Sequence, residues 1–175
     1  FQVGLPAERL ILGGTFVIDG FALFWKVLVV IATALTILLS IRFLEEGGYR
    51  AAEYYSLLLL ATSGMMLMAS GFTLLTIWIA LETMALASYI LAGYFKRHLR
   101  SNEAALKYFI LGALSSGILL YGISLLYGAT GTVQLGELAR GLAEASANDN
   151  PLVPLGWLLL AAGLLFKVAA VPFHI

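Results

Sequence analysis

The 175 residues are 61% hydrophobic and only 11% charged, with a mean hydropathy of +0.96; a soluble domain of this size cannot hide so much apolar surface, so the solvent of the fold is largely lipid. Ten basic and ten acidic side chains leave no net charge, which argues against a nucleic-acid surface or a polybasic membrane patch. There is no cysteine, so disulfides and cysteine-ligated iron–sulfur clusters are excluded within this chain; His98 in a polar connection and His174 near the end are the histidines, and a bis-histidine haem between helices is not expected. If the protein serves redox chemistry, the electrons run elsewhere.

Residues 1–20 carry Gly4, Pro6, Gly13, Gly14 and Gly20 among apolar neighbours and read as an interfacial or lumenal connection. The first membrane helix is expected over 21–43, with Lys26 and Arg42 near its ends, where both can snorkel to an interface. A polar loop, LEEGGYRAAE, covers 44–53. From Tyr54 to Phe95 the chain is hydrophobic almost throughout. As one helix that run would be ~63 Å long, twice the membrane core, so it must turn. Ser70-Gly71 is the weakest helical spot near its middle, which sets helices over 54–69 and 72–94.

The most basic connection follows, with Lys96, Arg97, His98 and Arg100, and Ser101 or Asn102 is expected to cap a helix over 104–127. The segment 128–152 is polar, and its spacing of leucines and alanines among Glu137, Arg140, Glu144 and Asp149 predicts a short amphipathic surface helix. A last helix is expected over 153–171. The fold class is thus an all-α integral membrane protein, 1–175 forming a single membrane domain. Beginning at Phe1 and stopping just beyond Pro172, the chain reads as a fragment of a longer protein. Both basic connections fall at the same end of this up-and-down chain, the end expected on the cytoplasmic or matrix side.

Three ionisable residues lie within or near membrane depth: Glu82, Lys107 and Lys167. A charge at the centre of a spanning helix costs about 2.5–3.5 kcal/mol on insertion scales, so such residues have a partner or a pathway. Glu82 is too deep for its short side chain to reach either surface, and its helical neighbours Trp78, Ile79, Ala85 and Leu86 offer it no charge partner. Burial favours the neutral form of a carboxyl and a nearby ammonium the ionised form, so a site balanced between them can load and release a proton. The bland alternative is a neutral Glu82 hydrogen-bonded within the bundle.

Lys167 lies ~20 Å along the last helix, beside the break that Pro172 imposes by lacking an N–H for the Val168 carbonyl. Open backbone and a charge together at membrane depth occur at transporter ion pathways; the alternative is a snorkelling lysine. Lys107 stands four residues after Glu103, the favourable spacing for a surface pair. Gly112, Ala113, Ser115, Ser116 and Gly117 suggest close helix packing. No glycine-rich strand–turn–helix fingerprint is present, so no nicotinamide or flavin site is expected.

Three ordered blocks carry a resemblance over nearly the whole chain: LLTIWIALETMALASYILAGYFKR, SNEAALKYFILGALSSGILLYGISLLYGATGT and GLLFKVAAVPFH. They closely resemble the subunit N family of bacterial NADH–quinone oxidoreductase, respiratory complex I, whose mitochondrial counterpart is NADH dehydrogenase subunit 2. The resemblance implies an antiporter-like subunit related to Mrp-type sodium/proton antiporters, with inverted five-helix repeats and a broken helix in each. It implies a proton-translocating subunit of an enzyme whose quinone, NADH, FMN and iron–sulfur clusters are bound elsewhere in the complex. It also implies other membrane subunits, antiporter-like ones among them, as partners. Glu82 matches the family's glutamate, Lys167 the lysine of the first broken helix, Lys107 that of the KYF motif, and His174 the histidine of VPFH. On this likeness Glu82 acts on the protonation of Lys167, and Lys107 relays protons. Alternatives are a cation/proton antiporter subunit or a structural membrane scaffold.

Overall fold

The computed structural model describes residues 9–171. Its helices are α1 (Gly20–Gly47), α2 (Ala51–Ser70), α3 (Leu74–Ala92), α4 (Leu99–Thr130), α5 (Leu135–Ala147) and α6 (Leu152–Lys167). Helices α1, α3 and α4 are each long and apolar enough to cross a membrane. Helix α2 has the length but opens on Glu53, Tyr54, Tyr55 and Ser56, and α6, at 16 residues, extends only ~24 Å. The expected count of five full spans is therefore looser than the sequence suggested.

Within the expected N-terminal connection, residues 9–18 take a regular form that the sequence did not suggest. They form an antiparallel hairpin of β1 (Arg9–Ile11) and β2 (Phe16–Ile18), with Arg9 opposite Ile18 and Ile11 opposite Phe16. Leu12, Gly13 and Gly14 turn it through positive φ, a conformation that the two glycines adopt without a Cβ clash. The hairpin then seats on the α2–α3 turn, where the Phe72 amide donates to the Thr15 carbonyl at 2.9 Å. Leu74 and Leu135 amides close the same end onto Val133 and Phe72 carbonyls.

At the opposite end lie the two basic connections. Glu53 accepts from Arg50 at 3.0 Å and faces Lys96 at 3.6 Å, while the Tyr94 hydroxyl donates to the Arg50 carbonyl. Burial, and then the Glu53 carboxylate, hold the Tyr94 phenol above its usual range. Helix α4 starts earlier than expected. Its N-cap is His98, and Ser101, expected as a cap, donates instead to the Ala92 carbonyl at 2.7 Å, because the α3 terminus has open acceptors within its reach.

Packing between the helices relies on missing side chains. A Cβ at Gly122 would lie 2.6 Å from the Leu160 amide nitrogen, and one at Gly163 would lie 2.6 Å from the Leu119 Cβ, so α4 and α6 run backbone against backbone. Gly64 does the same for α2 against Met84 of α3. Buried hydroxyls join the contact, Thr33 to Thr62 at 2.9 Å and Ser115 to the Gly163 carbonyl at 3.1 Å. Among the described residues a buried apolar cluster is formed by Leu81, Leu119, Ile123, Leu126 and Leu160, with Leu138 of the amphipathic α5 completing it. Outward faces stay apolar, as at Leu39, 81% exposed, which suits lipid or further helices rather than water.

Helix α6 ends at Lys167 rather than running on to 171. The Ala170 amide returns to Leu165 and the Ala169 amide to Phe166, with Ala169 at φ +50°. This is a Schellman closure, usually made by glycine. Pro172, which favours a stop here by disfavouring helical backbone before it, lies outside the described residues.

Candidate functional site

Glu82 sits at the middle of α3, on the face turned toward α4 and α6. The register that buries Leu81, Ala85 and Tyr89 carries its carboxylate inward as well. Lys167 comes from the last turn of α6, which Ser115 ties to α4 through the Gly163 carbonyl one turn earlier. Their side chains meet: Lys167 Nζ donates to Glu82 Oε1 at 3.2 Å. Only 14% of the lysine side chain and 19% of the glutamate are exposed. Two residues 85 positions apart in the sequence thus form an ion pair at membrane depth. In so low a dielectric the attraction between the two charges is stronger than on a surface, while stripping both of water is costly.

Two partners escaped the sequence reading. The Ser116 hydroxyl donates to the same Glu82 oxygen, although spacing alone made it a packing residue. Its carbonyl in turn accepts the Trp78 indole N–H at 3.3 Å, which fixes α4 against α3 at this level. Tyr89 is the other. Its hydroxyl accepts from Lys167 Nζ at 3.4 Å, and it lies on the Glu82 face two turns later in α3. That spacing of seven is the one signal that could have found it.

Lys107 is not brought to this cluster. It pairs with Glu103 one turn earlier on α4, with 70% and 63% of the two side chains exposed, as the spacing alone predicted. His174 lies outside the described residues. Chemically, the centre is an acid and an amine within one hydrogen bond of each other, with one hydroxyl donating to the acid and another accepting from the amine. Such a centre can hold a proton in either of two places and change the local charge by one when it gives it up.

Apolar helices packed around a buried carboxylate–ammonium pair define a multi-pass membrane protein with a charged centre inside the bilayer. Residues 71–175 match the family model described as NADH:quinone oxidoreductase/Mrp antiporter, TM. The chain belongs to this family. It is 52% identical over 164 residues to NADH-quinone oxidoreductase subunit N 1 of Koribacter versatilis, covering 92% of this chain and 32% of that protein. A chain of respiratory complex I from Thermus thermophilus superposes with a TM-score of 0.72 at 37% identity, over 95% of this chain and 34% of that one. A chain of the Mrp complex from a Dietzia species gives a TM-score of 0.66 at 30% identity, over 91% and 29%. The chain therefore spans about a third of the length of the relatives it matches, and its fold is the antiporter-like membrane fold they share.

Proposed function

We propose that this chain is part of a subunit N of bacterial NADH–quinone oxidoreductase, in the inner membrane, and that it couples quinone reduction to proton translocation. The observation that carries the reading is the buried Glu82–Lys167 pair, bridged at 3.2 Å across two helices. A scaffold has no use for so costly a pair when apolar residues of similar volume would pack as well or better. Lys167 is the proton carrier and Glu82 its counter-charge. When Glu82 takes up a proton the ammonium loses its counter-ion and tends to release its own; when Glu82 ionises, the ammonium is restored. Lys107 is proposed as a further relay on the likeness of its KYF motif, and His174 on that of VPFH. The chain brings no redox centre to this role. NADH, FMN, iron–sulfur clusters and quinone belong to other parts of the complex, and other antiporter-like membrane subunits are its neighbours.

The Mrp likeness supports a second reading, a cation/proton antiporter subunit; dependence of transport on sodium separates the two. The test of both is made on the whole protein in its native membrane. Glu82→Gln and Lys167→Met should assemble yet lose tenfold or more of NADH-driven proton uptake into inverted vesicles. Full proton uptake in both variants would leave only the scaffold.

A further inference from the structure

Lys167 has two acceptors, and only one of them is charged. Glu82 Oε1 stands at 3.2 Å and Tyr89 Oη at 3.4 Å from the same Nζ. Along α3 the two acceptors are seven residues apart, about 10 Å of helix rise, with Tyr89 on the side of the basic connections. The ammonium thus bridges a carboxylate at the bilayer's middle and a phenol nearer the basic end.

The phenol is placed there by more than chance contact. Tyr89 is 5% exposed. A Cβ on Gly112 would run into its hydroxyl and lie 2.6 Å from its Cζ, so that glycine opens the notch the ring occupies. Tyr108 and Phe109 meet the ring edge-on, with centroids at 4.6 and 5.8 Å, and fix its direction. Among the described residues the Tyr89 O–H has no acceptor of its own, so its proton is free for water or for a group arriving from the basic end. A buried hydroxyl with one lone pair given to an ammonium and its own proton unspent is costly unless used.

We propose that Tyr89 is a positioning residue for Lys167, a neutral second seat that keeps the amine in place while Glu82 carries a proton. This rests on the proton-translocating reading above and adds to it the group that holds Lys167 when its counter-charge is gone. Without Tyr89, a lysine facing a neutral Glu82 keeps only the weaker, uncharged carbonyl acceptor of that carboxyl and is held less firmly, so reprotonation of the site slows.

The experiment uses the whole protein in its assembled complex, in inverted native-membrane vesicles. Tyr89→Phe, Gly112→Ala, their double variant and Glu82→Gln are compared for assembly, NADH-driven quinone reduction and protons taken up per NADH. Tyr89→Phe keeps the ring, so assembly should hold while coupled turnover falls three- to tenfold and the proton count per NADH drops. Gly112→Ala keeps the hydroxyl but displaces it, and should give the same phenotype; the double variant should be no worse than Tyr89→Phe. A purely structural role predicts lower assembly at unchanged protons per NADH, and additive losses. If Tyr89→Phe does not assemble, Gly112→Ala decides alone. Glu82→Gln impaired with both Tyr89→Phe and Gly112→Ala at wild-type level overturns the second seat only. Glu82→Gln at wild-type level overturns the translocation reading and this inference with it.

Discussion

Replacing Gly163 by alanine tests whether the α4–α6 contact sets the distance between Lys167 and Glu82. The added Cβ would lie 2.6 Å from the Leu119 Cβ and 3.0 Å from its Cα, whereas ordinary contact begins at 3.4 Å. Because α4 backbone is among the atoms met, no rotamer change relieves the clash, and α6 must retreat by about 0.8 Å at this level. The Ser115–Gly163 bond, 3.1 Å now, stretches beyond hydrogen-bond range. The ion pair at 3.2 Å lengthens similarly, which weakens its Coulomb attraction by about a fifth from the inverse distance alone. Overpacking adds about 1–3 kcal/mol of destabilisation. Alanine also raises helix propensity, so the proper reference is Gly117→Ala on α4, where a Cβ meets nothing within 4 Å. Purified complex carrying each variant is compared by thermal unfolding of this subunit and by proton uptake in vesicles. Gly163→Ala should unfold at lower temperature than Gly117→Ala and pump several-fold more slowly. Equal behaviour of the two would show that the glycine contact does not govern the pair.

Ser116→Ala removes the donor to Glu82, a hydrogen bond to a charged group worth about 1.5–3 kcal/mol; coupled turnover should fall several-fold, and Ser116→Thr, which keeps the hydroxyl, should recover most of it. Ala169→Gly relieves a left-handed alanine at φ +50° and should stabilise the α6 terminus by about 1 kcal/mol, read as a higher unfolding midpoint. Lys107→Met breaks only an exposed pair with Glu103, worth about 0–1 kcal/mol. Stability should hardly change, so a loss of proton uptake would mark the relay role and unchanged uptake would refute it.

The long apolar runs were legible because a membrane helix writes its length into composition: α1, α3 and α4 each contain a long stretch that is hydrophobic almost throughout. Glu82 stood out because it interrupts one of those runs, and Lys167 because it closes the shorter apolar helix α6. What composition does not carry is which face meets which. Ser116 looked like one more small residue, and only the approach of α3 to α4 turns its hydroxyl to Glu82. The hairpin at 9–18 was hidden because its strands have three residues each, too few to show a period of two. Its pairing is stabilised by docking on the α2–α3 turn instead. Helix α4 began at Leu99 because the Ser101 hydroxyl had a carbonyl of α3 to satisfy, a tertiary preference that local capping rules do not contain.

Where α6 stops has an electrostatic consequence. The peptide dipoles of a helix add up to roughly half a negative charge at its C-terminus, and Lys167 is the last residue of this one. Its ammonium therefore stays in a favourable potential even when Glu82 is neutral, supplied by backbone that cannot titrate. The carboxylate then acts as an adjustable bias on top of a fixed one. That fixed half charge offsets part of the ammonium's full one, and the ionised carboxylate supplies the rest.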